Sequence, residues 1–331
     1  MKAALCEAFA PLDALRIAEV AAPALAPGHV LIDVHAAGVN FPDGLIVQGR
    51  YQTRPPLPFV PGAELAGVVA AVGEGVEGFA PGDRIAAFSG TGGFAEQATV
   101  PAAQIYHLPD GVDFTAGGLL ITHGTSYHAL KDRAALRPGE TLLVLGAGGG
   151  VGLAAVELGA IMGARVIAAA STEEKLALAR SRGAAETILY SQQDLREAVK
   201  ALTDGRGVDV VYDPVGGAMS IAAVKALAWG GRHLVVGFAG GDIPQIPANL
   251  LLLKSASSIG VLWGNSVRAE PTPHARNIAD LFGWLADGRI RPAVDRVFPL
   301  DQVVAALEHV MERRAQGKVI LAVRPGSEDV R

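Results

Sequence analysis

Residues Thr141 to Gly163, TLLVLGAGGGVGLAAVELGAIMG, set an apolar β-type run before a glycine-rich turn and a helix-type run after it. Glycine lets a backbone come close to a pyrophosphate, and the N–H groups and positive dipole end of a helix starting near Gly150 attract that anion. Ala147, Gly149 and Gly152 approximate the G-x-G-x-x-G spacing with alanine in the first place. Ala147, Gly148, Gly149, Gly150 and Val151 are therefore the candidate contacts of a dinucleotide. The same glycines also suit a turn that merely lets a helix pack on a sheet; the repeated βα pattern downstream favours the nucleotide.

About twenty residues past such a turn, folds that select NAD carry an acid for the ribose 2′-hydroxyl. This sequence has Ala169-Ala170-Ser171-Thr172 there. With no carboxylate to repel a 2′-phosphate, Ser171 or Thr172 can donate a hydrogen bond and Lys175 can supply positive charge, which points to NADPH. The residues equally describe Ser171 as a helix N-cap, with Glu174 completing a capping box. Glu173 or Glu174, turned inward, would weaken the preference. Tyr190, after the third strand, can lie against the adenine end, although a lone tyrosine there is as often packing. His123 and His128 read as hydrogen-bonded structure rather than catalysts.

Two kinds of element must position these residues. From Met1 to about Leu120 the pattern predicts short strands, at 30–35, 66–72, 84–88 and 95–100, separated by Pro-Gly turns. From about Thr122 to Gly264 strands at 141–145, 165–170, 187–189, 208–212, 232–238 and 258–262 alternate with helix-like stretches such as 173–182, 195–202 and 219–228. Six βα repeats predict a parallel, doubly wound sheet. Helix-like runs at 275–287 and 300–314 precede a last strand at 318–323, which is expected to return to the first domain. The fold class is thus α/β, with residues 123–264 forming a dinucleotide-binding domain and residues 1–122 and 265–331 forming a discontinuous strand-rich one.

The 331 residues exceed what one hydrophobic core usually serves, and 50% of them are apolar, enough for two cores. No apolar stretch reaches the about 18 residues of a membrane span, and Met1–Pro11 lacks the order of a signal peptide, so a soluble, cytoplasmic protein is expected. Cys6 is the single cysteine, which excludes an internal disulfide and a cysteine-based zinc site. A net charge of −5 without a dense basic run argues against nucleic acid as a partner.

The segment Ala36 to Ile85 carries GVN followed by Asp43, the GxYQ around Tyr51, PGAELAG and the GDR at Gly82–Arg84. With LLVLGAGGGVG, this ordered set resembles the medium-chain dehydrogenase/reductase superfamily, and within it the zinc-free quinone oxidoreductase (zeta-crystallin-like) branch. Zinc-dependent members have a cysteine where this chain has Asn40 and Gly-His-Glu where it has Gly62-Ala63-Glu64. A lone Glu64 cannot make a tetrahedral zinc site.

The resemblance implies a Rossmann domain inserted into a GroES-like domain, with the nicotinamide in a cleft between them, and a homodimer through the Rossmann sheet edge near Ser258–Trp263. It implies NADPH-dependent reduction of a quinone or of an activated C=C bond. Residue by residue, Asn40 resembles the asparagine near the nicotinamide ribose, and Thr125 the threonine beside the nicotinamide. Ser171, Lys175 and Tyr190 resemble the adenosine-phosphate contacts; the backbone at Phe238, Val261 and Trp263 resembles that beside the carboxamide. Arg313 matches a cofactor-contacting arginine at looser spacing. Hydride transfer demands distance, angle and electrostatics, and enone reduction also needs a proton at the alpha carbon. Tyr51 resembles the active-site tyrosine of enoyl-thioester reductases, either as proton donor or as an aromatic residue packed on substrate. Arg50 and Arg54, near the same loop, can meet a substrate phosphate such as that of a coenzyme A thioester, but surface arginines beside prolines are more often simply solvated. An enoyl-CoA reductase and an NADPH-binding protein with little turnover are the alternative functions.

Overall fold

The structure, a computed structural model, describes residues 1–324; residues 325–331 of the predicted first domain lie outside it. The chain forms two compact units. One comprises Met1–Ile121 and the chain from Phe282 onward, the other Thr122–Leu281.

The first unit is built on a seven-stranded sheet whose organiser is the long strand His29–Val39. Residues 29–35 alternate between half-buried and buried, and residues 36–39 are buried throughout, because different partners flank the two halves. Gln97–Pro101 pairs antiparallel with His29–Asp33, whereas Lys318–Ala322 pairs antiparallel with Ala36–Val39. Glu64–Val72 runs along the opposite side of the whole strand. Lys318–Ala322 also pairs in parallel with Val294–Pro299, a strand the sequence did not announce. The helix Phe41–Val47, also unannounced, begins directly after the long strand, with Pro42 in its first turn, a position whose missing N–H costs nothing.

The second unit is a six-stranded parallel sheet ordered Glu186–Leu189, Arg165–Ala170, Thr141–Leu145, Val208–Asp213, Leu227–Val235, Ser257–Gly260. In chain order this is 3-2-1-4-5-6, the doubly wound dinucleotide-binding order, and it reverses direction beside Thr141–Leu145. That strand is buried along its whole length, as expected where helices cover both faces. The edge strand Ser257–Gly260 is mostly exposed.

Several predicted bounds move. The fifth strand runs from Leu227 to Val235 and stops short of Phe238; the preceding helix ends at Lys225. The last strand ends at Gly260, because Trp263 opens a helix, Trp263–Ala269. Residues 265–281, predicted to leave with the first domain, belong to the second unit. The reason is a set of contacts within that unit. Trp263 meets His274 edge-on at 5.6 Å, Asn277 Nδ2 donates to Asp132 at 2.7 Å, and Asp280 accepts from Tyr127 at 2.9 Å and Lys131 at 2.8 Å.

Candidate active site

In the second unit the strand Thr141–Leu145 ends at Gly146, whose φ of +60° belongs to the left-handed region that glycine adopts without strain. Ala147 is buried, Gly149 caps the helix Gly150–Ile161, and Gly150 and Val151 form its first turn. A methyl group on Gly152 would overlap the Gly146 carbonyl oxygen, so the helix can pack this closely on the strand only with glycine there. A methyl on Gly149 would meet only that same oxygen, at 3.6 Å. The turn is thus tight on its protein side and open above Gly149, which suits a pyrophosphate resting on backbone N–H groups. Ser126 ties the helix Leu120–Tyr127 to this turn by donating to the Val151 carbonyl at 2.9 Å and sharing a 2.9 Å hydrogen bond with Tyr212. Thr125 is its neighbour in the chain and is half-buried.

Ser171, Lys175 and Tyr190 gather at the ends of the next two strands. The N-cap of the helix Glu173–Ser181 is Thr172, whose Oγ1 accepts from the Lys175 N–H at 3.4 Å. The reading of Ser171 as N-cap is therefore corrected by one residue, and the Ser171 side chain is not spent on that cap. The Lys175 stem packs on the glycine turn: a methyl on Gly148 would lie 2.5 Å from its Cβ. Glu173 pairs with Arg180 at 2.6 Å. The Glu174 carboxyl is held below the usual range by its own backbone N–H and the Thr172 hydroxyl. Tyr190 donates its backbone N–H to the Ala170 carbonyl at 3.2 Å, and Ser191 Oγ donates to the Ser171 carbonyl at 3.0 Å, which draws the two loops together.

Phe238 lies beside the turn after Val208–Asp213, its ring 3.1 Å from where a Gly216 side chain would begin. Asp213 builds that turn by accepting the N–H groups of Val215 at 2.9 Å and Gly216 at 3.0 Å, and His233 and Ser220 hold its other oxygen. Val261 donates its N–H to Val235 at 2.9 Å, and Trp263 is buried against Gly124. His123 faces Glu157 at 3.2 Å and His128 faces Asp132 at 2.8 Å; both are committed to structure.

In the first unit Asn40 sits in a buried ionic cluster that the sequence only half disclosed. Its Nδ2 donates to Glu64 Oε1 at 2.8 Å, and its Oδ1 accepts from Lys318 Nζ at 2.7 Å. Lys318 and Glu64 form a direct ion pair, 6% and 0% exposed, and Glu64 Oε2 accepts the Ile121 N–H at 2.7 Å. Asp43, three residues on, accepts the Asn40 backbone N–H at 2.8 Å and closes the start of the helix Phe41–Val47. Burial pushes its carboxyl up to about 7, against the Asn40 N–H and the Lys318 ammonium. Burial, and then the Asp43 charge, also push the Tyr51 phenol above its ordinary value. Arg313 is exposed, with φ +60°, just past the helix Val303–Met311. Its backbone N–H donates to the Val310 carbonyl at 3.0 Å.

Lys318 is the residue sequence reasoning missed. A lysine opening the apolar strand KVILA, directly after Gly317, is the signal that was available, since an unpaired ammonium is rarely buried in such a run. The same cluster decides the fit of a metal. Among the described residues no three His, Cys, Asp or Glu side chains are grouped to hold one. Glu64 is engaged by an ammonium, and Asn40 and Ala63 are not zinc ligands. These residues do not fit a catalytic zinc ion.

A family model for the alcohol dehydrogenase GroES-like domain matches residues 26–110, and one for zinc-binding dehydrogenase matches residues 150–279. The quinone oxidoreductase-like protein 2 of Rattus norvegicus is 40% identical over 312 residues, which span 94% of this chain and 89% of that protein. The chain belongs to the quinone oxidoreductase branch of the medium-chain dehydrogenase/reductase superfamily. Among solved structures, the Thermus thermophilus quinone oxidoreductase, also solved in complex with NADPH, is similar with a TM-score of 0.86 at 34% identity, covering 98% of this chain and 100% of that one. The Escherichia coli quinone oxidoreductase complexed with NADPH has a TM-score of 0.90 at 27% identity, with the same coverage. The GroES-like and Rossmann units described above are those of the family. Among the described residues no helix is long and apolar enough to cross a membrane.

Proposed function

We propose that this chain is a metal-independent, NADPH-dependent reductase that passes a hydride to a quinone or to the C=C bond of an activated enone. The observation that carries the reading is the open glycine turn with the Lys175 stem laid across Gly148 and no carboxylate at the end of the second strand. The NADPH complexes of the Thermus and Escherichia coli relatives support the same cofactor.

On this reading the N–H groups around Ala147, Gly148, Gly149, Gly150 and Val151 hold the pyrophosphate. Ser171 and Lys175 hold the 2′-phosphate, and Tyr190 flanks the adenine. Thr125 and the backbone at Phe238, Val261 and Trp263 hold the nicotinamide end, Asn40 serves its ribose, and Arg313 supplies an outer charge. When bound, the cofactor supplies the hydride, and this chain's residues orient it and exclude water. Tyr51 carries its proton at neutral pH, as any phenol does, and burial and the Asp43 charge raise its pKa further, so the hydroxyl is there to donate but the shift does not separate a donor from a packing residue. The second reading is an enoyl-thioester reductase with Tyr51 protonating the alpha carbon. A quinone needs no such donor, since its reduced form can take protons from solvent. Two copies are proposed to join through the exposed strand Ser257–Gly260.

The test is NADPH oxidation followed across quinones, enals and enoyl-CoAs, with the unmutated chain and Tyr51→Phe. Turnover on quinones that Tyr51→Phe leaves unchanged is the expected result. A loss on enoyl-CoA of well over about tenfold in Tyr51→Phe would select the second reading. Tight NADPH binding with no oxidation of any acceptor would reject both in favour of a binding protein.

A further inference from the structure

The turn at residues 213–217 faces the glycine turn across the switch point of the parallel sheet. It follows Val208–Asp213, which pairs with Thr141–Leu145 where the strand order reverses, and sheets of this kind bind ligands in the crevice at the carboxyl ends of those two strands. The two turns abut: a methyl on Gly146 would lie 3.1 Å from Val215 Cγ2 and 3.6 Å from Pro214 Cγ. Asp213 holds the second turn from beneath. Its carboxylate is 2% exposed, and all four of its acceptor positions are filled. Oδ1 accepts the Val215 and Gly216 N–H groups at 2.9 and 3.0 Å, and Oδ2 accepts the Ser220 hydroxyl and, at 2.9 Å, His233 Nε2. Burial pushes the carboxyl up, but the hydrogen bonds from His233, Ser220 and Gly216 outweigh it and hold the group below its ordinary value. A carboxylate only accepts, so His233 carries a proton on Nε2; its Nδ1 is engaged by the Ser258 hydroxyl at 3.0 Å, and the buried ring is held in one orientation. The turn in its own right carries the loop at residues 236–242. The carbonyls of Asp213, Pro214 and Val215 accept the N–H groups of Val236, Ala239 and Gly240 at 2.9, 3.0 and 2.7 Å, and the Gly217 N–H donates to the Asp242 carbonyl at 2.9 Å.

We propose that Asp213 and His233 are positioning residues that fix the turn 213–217 and, through it, the loop 236–242 as the wall that orients the nicotinamide half of the cofactor, while the adenosine half is held independently of them. The inference rests on the reading of this crevice as an NADPH site. The chain of restraint runs from Ser258 through the imidazole to the carboxylate, and from there along backbone hydrogen bonds to the loop that carries Phe238.

His233→Leu keeps most of the side-chain bulk and withdraws the N–H from Asp213, whereas His233→Gln can return an amide N–H to the same oxygen. In the folded leucine variant, NADPH affinity by fluorescence titration is expected to fall at least about tenfold, while affinity for adenosine 2′,5′-bisphosphate, which lacks the nicotinamide half, stays within about twofold of the parent. His233→Gln should recover most of the NADPH loss. Equal losses for the two ligands, or no loss for either, overturn the proposal, since a general structural defect does not tell one half of the cofactor from the other. A second measurement uses the unmutated chain and needs no variant to fold. In hydrogen–deuterium exchange, NADPH should slow the amides of residues 215–217 and 236–242, and adenosine 2′,5′-bisphosphate should leave them unchanged. The same effect from both ligands, or none from either, overturns the proposal. A chain that shows these differences yet oxidises no NADPH with any acceptor would remove the proposed reductase and leave the positioning role in place.

Discussion

Burial carries the Asp43 carboxyl from an ordinary 3.8 up to about 7, although the Asn40 N–H and the Lys318 ammonium pull it down; the nearby Glu64 carboxylate pushes it further up. Folded, Asp43 holds a proton over a range in which the unfolded chain has already released it. Folding therefore takes up a proton between about pH 4 and pH 7, and stability falls as pH rises through that window and levels off above it. Asp43→Asn is neutral at every pH and should lose this part of the decline. The melting temperature of the variant relative to the parent is expected to rise from pH 5 to pH 8; a difference that stays constant would show that Asp43 does not ionise in this window. Lys318 illustrates the limit of reading single residues from sequence. Asn40, Asp43 and Glu64 lie within 25 positions of one another and share motifs, but their counter-charge arrives from the far end of the chain. No local pattern links residue 318 to residue 40; only the pairing of Lys318–Ala322 with Ala36–Val39 does so.

The strand, turn and helix around Gly146–Gly152 separate two demands on glycine that a motif alone merges. Gly152 answers to packing, since any side chain there meets the Gly146 carbonyl. Gly149, at φ −88°, has room for a methyl and no need of left-handed backbone, so its smallness answers to a ligand. Gly149→Ala is accordingly expected to melt within a few degrees of the parent while NADPH affinity, followed by fluorescence titration, drops at least about tenfold. Gly152→Ala should lose about 1–3 kcal/mol of stability in denaturant melts, the usual cost of overpacking. Equal losses of stability in both would contradict the assignment. The strands of this unit were legible because each is a buried apolar run bounded by turns. The errors fell where that code gives out. Val236, Gly237 and Phe238 are as apolar as the strand before them, yet leave it to form a loop, and Val261-Leu262-Trp263 reads as β while Trp263 begins a helix. The helix Phe41–Val47 was hidden by Pro42 and Gly44, residues that argue against a helix interior but stand in its first turn.

At the scale of the molecule, the parallel sheet of the second unit ends at an unpaired edge. Among the described residues Ser257–Gly260 has a neighbour on one side only, and Leu252, Leu253 and Leu262 near it are 78%, 71% and 55% exposed. An open edge beside apolar surface invites pairing with another chain. Sedimentation should therefore give twice the chain mass, and Ser258→Pro, which removes a ladder N–H from that edge, should give the single mass; a monomeric parent would refute the dimer. The first unit has the opposite problem of completion. Its sheet needs Lys318–Ala322 between His29–Val39 and Val294–Pro299, so an interior strand is made only after the whole second unit. On the ribosome, the strands that precede that unit must wait with a slot in their sheet unfilled while it emerges and can fold ahead of them. The sheet begun before the nucleotide-binding unit is thus completed after it.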